Sequence, residues 1–81
     1  MIVRLNKINN NFHSVQIGSI LLYFSYETII AIKDHNGLTV SENIWSRTTE
    51  QHLNLLEPDK SKRMENREFE LYLDKILGKS R

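Results

Sequence analysis

From Ile17 to Val40 the chain reads IGSILLYFSYETIIAIKDHNGLTV, and the periodicity of this stretch decides the fold. Its apolar run, Ile17 to Ile32, is broken by Gly18, Ser19, Ser25, Glu27 and Thr28, short of the ~18–20 apolar residues that cross a bilayer. Alternation organises it. In ETIIAIKD, Ile30 and Ile32 fall on one face and Ile29 and Ala31 on the other, as side chains of an extended strand must. The Asn36-Gly37 pair then suits a type I′ hairpin, with Leu38 and Val40 expected inward and Thr39 and Ser41 outward. Upstream, SVQIG sets Val15 and Ile17 on a common face, and Gly18 invites a bend. Residues 14–43 therefore read as an antiparallel β-meander. Because ILLYFSY supplies apolar groups to both faces, such a sheet needs two covers: helices for one, and a second subunit or another protein for the other.

Beyond the meander the period changes from two to about 3.6. Trp45, Thr49, His52, Leu53 and Leu56 form one stripe, which predicts a helix over 46–57 ended by Pro58. Thr48 with Gln51 is a capping-box pattern, and Ser46 is the competing cap. A second helix is expected over 66–77, with Asn66 as its N-cap, Glu68 and Glu70 in the first turn, Lys75 and Lys79 near the end and Gly78 as C-cap. Its inward stripe is Phe69, Tyr72, Leu73 and Ile76. The N-terminal 1–13 is expected to hold a short strand, MIVRL, and an asparagine-rich connection. The fold class is thus α+β: an antiparallel meander of three to five strands followed by two helices packed on one sheet face, in a single domain, 1–81.

Composition sets limits on function. A chain of 81 residues with 40% hydrophobic and 26% charged residues supports one small core and does not resemble a disordered segment. A net charge of +1 gives neither the strong positive field of a typical nucleic-acid binder nor an acidic surface. With no cysteine there is no disulfide framework or thiolate site, and the N-terminus lacks the apolar segment of a secretory signal, so a cytoplasmic setting is expected.

Catalytic chemistry finds little to work with. His13, His35 and His52 lie in different elements without ligand spacing, so no metal is expected, and the three isolated glycines form no phosphate loop, so neither is any cofactor. No nucleophile elbow is present. A small hydrolase or nucleotide-processing enzyme would have to use the corner formed by Ser46, Thr48 and His52. More basic chemistry sits at Lys60, Lys62, Arg63 and Arg67, interspersed with acids, and makes nucleic-acid contact the alternative function. For protein binding the candidates are Arg47, His52 and Asn54 around the polar 41–54 corner, with Tyr23 and Tyr26 on the sheet.

The run YFSYETIIAI, followed by NIWSRTTEQHLN, Arg63 and the Phe69-Glu70 pair, resembles a family of small uncharacterised proteins encoded by bacteriophages and related mobile elements. The likeness covers residues 23–77, about two thirds of the chain. It falls on Ser25, Tyr26, Asn43, Trp45, Ser46, Thr48, Thr49, His52, Leu53, Asn54, Arg63 and Phe69. Family members often carry Gly before the His-Leu-Asn and Trp after it, where this chain has Glu50-Gln51 and Leu55. The resemblance implies a phage setting and no particular activity. The expectation is a non-enzymatic accessory protein that binds a host or viral protein, or itself, and in its most concrete form inhibits a host enzyme or defence complex.

Overall fold

The structure is a computed structural model in which residues 3–78 are described. Five antiparallel strands run in sequence order across one sheet: β1 (Val3–Asn9), β2 (Phe12–Ile17), β3 (Ile20–Ser25), β4 (Thr28–Asp34) and β5 (Gly37–Val40). Two helices follow, α1 (Arg47–Leu56) and α2 (Asn66–Ile76), joined through a short 3-10 turn at Lys60–Lys62. The fold is α+β, as the sequence predicts.

The asparagine-rich segment departs from expectation. It is a hairpin rather than an irregular connection, because Asn9 pairs with Phe12 and Asn11 takes the left-handed conformation, φ 56°, that asparagine tolerates and a tight turn requires. Met1 and Ile2 of the expected strand lie outside the described residues, as does Lys79. The turn between β4 and β5 also differs in kind. Its two connecting residues are His35 and Asn36, and only Gly37 has positive φ, 106°, so the geometry is not the type I′ turn expected of Asn36-Gly37.

Register assigns every strand residue to a face. Phe12 pairs with Ser25, Ser14 with Tyr23, Tyr23 with Ala31 and Ala31 with Val40, which places all of these on one side. Val15 pairs with Leu22 and Leu22 with Ile32, which places them on the other. The two cores follow this division. Phe12, Ile30, Ala31 and Val40 bury Leu53 of α1, with Tyr23, Trp45 and Leu56 packed against them. Leu22 and Ile32 bury Phe69 and Leu73 of α2, flanked by Ile17, Ile20, Phe24, Ile29, Met64, Tyr72 and Ile76. The helices thus divide between the two faces instead of sharing one, since β3 and β4 present apolar side chains to both.

A bulge completes the arrangement. Tyr23 pairs with Ala31 and Phe24 with Ile29, so Ile30 is an extra residue in β4. Ile30 and Ala31 therefore join the same core, and Ile29 and Ile32 the opposite one, in place of the strict alternation expected. At the end of β5, Val40 enters the α1 core, but Ser41, expected outward, is fully buried and forms a parallel bridge with Met64. Met64 N–H donates to the Val40 carbonyl at 2.7 Å and Glu42 N–H to that of Met64 at 2.8 Å. That pairing covers the end of the β5 edge and carries the chain from one face to the other.

Capping of α2 comes from outside the helix. Asn66, the expected N-cap, is its first helical residue, and its N–H donates to the Glu42 carboxylate at 2.8 Å. Glu65, at the cap position, makes no side-chain cap bond. Glu42 thus satisfies a free helical donor and complements the positive helix end. We expect Glu42→Ala to lower unfolding free energy by about 1 kcal/mol in urea titration; an unchanged midpoint would contradict the cap.

Candidate functional site

The polar corner from Ser41 to Asn54 resolves into a bonded framework. Ser46, not Thr48, caps α1: its Oγ accepts from Thr49 N–H at 3.2 Å. Asn43 braces the approach, accepting from Trp45 N–H at 2.9 Å and donating through Nδ2 to the Ser46 carbonyl at 2.9 Å. Ser46 Oγ also donates to Thr49 Oγ1 at 3.2 Å; Thr49 Oγ1 lies 3.0 Å from Ser25 Oγ, and Ser25 Oγ lies 2.7 Å from His52 Nδ1. His52 stacks on Phe12, ring centroids 4.8 Å apart and planes at 8°. A hydroxyl relay thus runs from the helix cap into the core, tying α1 to β3.

A Ser–His contact at 2.7 Å has the form of a nucleophile and its base, yet Ser25 is 1% exposed and His52 4%. With Phe12 stacked on the imidazole, no substrate atom reaches the hydroxyl in this conformation. The contact satisfies two buried polar groups that would each otherwise cost about 1–3 kcal/mol. Sequence spacing alone did not pair Ser25 with His52; the signal was a serine inside the apolar run LLYFSY, where a buried hydroxyl needs a partner. Ser46 is engaged at the cap, and Thr48 is exposed on α1.

The remaining candidates separate. Tyr23 is half-buried against the α1 core, with its ring 6.4 Å from that of Phe12. Tyr26 is exposed at the β3–β4 turn with φ 57°, its N–H donating to the Asn11 carbonyl at 2.7 Å, which ties two hairpin tips together. Arg47 is exposed at the start of α1, and Asn54 is exposed on its far side. Among the described residues no group of three or more His, Asp or Glu side chains is close enough to hold a metal ion.

Arg63 is the largest surprise of the basic segment. Lys60, Lys62 and Arg67 are exposed, with Lys60 3.9 Å from Glu50, but the Arg63 side chain is 2% exposed. Its Nε donates to the Glu57 carbonyl at 3.0 Å, Nη1 to both Glu50 oxygens at 3.1 and 3.0 Å, and Nη2 to Asn54 Oδ1 at 2.9 Å. A planar fork thus grips the end of α1, where a lysine has no such geometry. Glu50 feels two opposing influences: burial pushes its pKa up, and the Arg63 hydrogen bond and charge outweigh this, holding it below the ordinary carboxylate value. On the α2 side, the Tyr72 hydroxyl donates to Asp34 and holds that carboxyl low as well.

One stretch of sheet remains uncovered. On the α2 side, β1 presents Val3 and Leu5, 65% and 71% exposed, beside the half-buried Val15 and Phe24. Leu5, His13, Val15, Phe24, Tyr26 and Glu27 line an open groove of about 350 Å³ there. Width explains it: five strands spaced ~4.8 Å apart exceed the ~10 Å breadth of a single helix. On the α1 side the same strand presents Arg4 and Asn6.

These features define a small α+β domain whose sheet is held between one helix on each face. The chain belongs to a family of unknown function, DUF8033, whose model matches residues 3–71. No curated protein and no solved structure matches it. Among the described residues no helix is long and apolar enough to cross a membrane.

We expect Arg63→Lys to cost about 2–4 kcal/mol in urea unfolding, because Glu50 and the α1 end lose their shared partner. Since Glu50 is held low in the folded state, its contribution is present above the unfolded carboxylate value and fades as pH falls through the folded one. The gap between wild type and Arg63→Lys should therefore narrow on acidification. A gap independent of pH would contradict the pairing.

Proposed function

We propose that this protein is a non-enzymatic, phage-encoded accessory protein that works in the host cytoplasm by binding another protein, with inhibition of a host enzyme or defence complex as the concrete form. The observation that carries the reading is the apolar strip on β1 and β2. Val3 and Leu5 stand exposed on the side of β1 that adjoins a groove, while polar side chains occupy the other side. An exposed apolar strip beside a free sheet edge is a common form of protein-binding surface. Support for the phage setting comes from the likeness of the Phe-Ser-Tyr strand and the NIWSRTTEQHLN stretch to phage-encoded proteins.

The internal use of polar groups favours binding over chemistry. Ser25, Ser46, Thr49 and His52 bond to one another, and Arg63 bonds to α1. The test compares wild type with Leu5→Asp in affinity capture from bacterial lysate, with thermal melting as a control. Leu5 is exposed, so the variant should melt within a few degrees of wild type while losing whatever wild type retains. Capture that survives the substitution, or a strictly monomeric chain that captures nothing, would contradict the proposal.

A further inference from the structure

Among the described residues no strand pairs with the outer side of β1, and its usable stretch is Val3–Lys7, because the register shifts at Ile8. In an antiparallel pair every second residue turns its N–H and C=O away from its partner, which leaves a row of donors and acceptors facing outward. Charge on β1 and β2 themselves is one-sided, although Glu27 of the β3–β4 turn also lines the groove. Residues 1–26 carry Arg4, Lys7 and His13 and no acidic residue, while all 10 Asp and Glu lie from Glu27 onward.

Charge also narrows what can pair there. Two copies brought edge to edge would place two Arg4 and two Lys7 in one short ribbon with no acid among them, so the edge resists a second copy of this chain. An extended segment with acidic side chains meets no such barrier. Register sets its pattern: Val3, Leu5 and Lys7 share the groove side, and Arg4 lies on the other. We propose that β1 accepts a strand from a partner protein whose sequence alternates apolar with acidic residues. Its apolar side chains lie on the face of Val3 and Leu5, at the mouth of the groove lined by Leu5, Val15 and Phe24, and its acids lie on the face of Arg4. Main-chain hydrogen bonds supply the pairing, and Arg4 supplies selectivity and orientation, while Lys7 adds positive charge near the end of the strand. This rests on the protein-binding reading above and names the chemistry of the partner.

The experiment titrates the full chain with a short capped peptide alternating valine and glutamate, and with a control alternating valine and lysine, followed by backbone amide NMR. The glutamate peptide should shift the amides of Val3–Lys7 and of Val15 and Phe24, and bind about tenfold or more tightly than the lysine peptide at low salt. In the double variant R4E/K7E the preference should reverse. Binding that ignores peptide charge, shifts confined to the helices, absence of binding, or self-association of the wild-type chain through β1 would each overturn the proposal. If the peptide fails while capture of a protein still depends on Leu5, the acidic-strand partner is wrong and the binding reading stands; if both fail, both fall.

Discussion

Leu22 and Tyr23 are neighbours on β3 yet belong to different cores, because consecutive side chains of a strand point to opposite faces and both are apolar. The rest of the molecule depends on that constraint. A central strand that is apolar on both sides is stable only when both sides are covered, and the described residues supply two α-helices with which to do it. One helix goes to each face, so the chain must travel around the β5 edge between them. Arg63 and Met64 stand at the crossing: the first grips α1 through Glu50 and Asn54, and the second pairs with the end of β5.

Much of this was legible in the sequence. The change of period after Val40 marked the passage from strands to helices, and Thr49, His52 and Leu53 are the buried residues of α1 that their spacing implied. Phe69 and Leu73 are likewise the buried residues of α2. What period cannot convey is which face a helix chooses. The apolar character of ILLYFSY on both sides raised that question: both helices were expected on one face and a partner on the other, whereas α2 covers the second face and leaves β1 open. Bulges escaped as well, because a strict period of two has no room for an extra residue such as Ile30.

The site residues fared unevenly for a related reason. A polar side chain reads the same in sequence whether it faces water or a buried partner, so Asn54 and Arg63 looked like surface contacts although they bond to each other. His52 stands out in sequence as a binding candidate, and its side chain bonds to Ser25, 27 positions away on the sheet. Much of the polar 41–54 corner is therefore used by the fold, which caps α1, ties it to β3 and fastens the crossing to α2, while Arg47 and Thr48 stay exposed. At the opposite edge of the sheet, β1 presents Val3 and Leu5, apolar side chains that no described element covers.

The claim that the sheet separates two independent cores is tested most directly by a double-mutant cycle between Leu53, fully buried under α1, and Phe69, fully buried under α2. Leu53→Ala and Phe69→Ala should each cost about 2–5 kcal/mol, or be replaced by milder Leu53→Val and Phe69→Leu if the chain does not fold. Their effects should add to within about 0.5 kcal/mol, as expected of sites that share no partners. A coupling of 1 kcal/mol or more would place the two side chains in one shared core and contradict the two-faced arrangement.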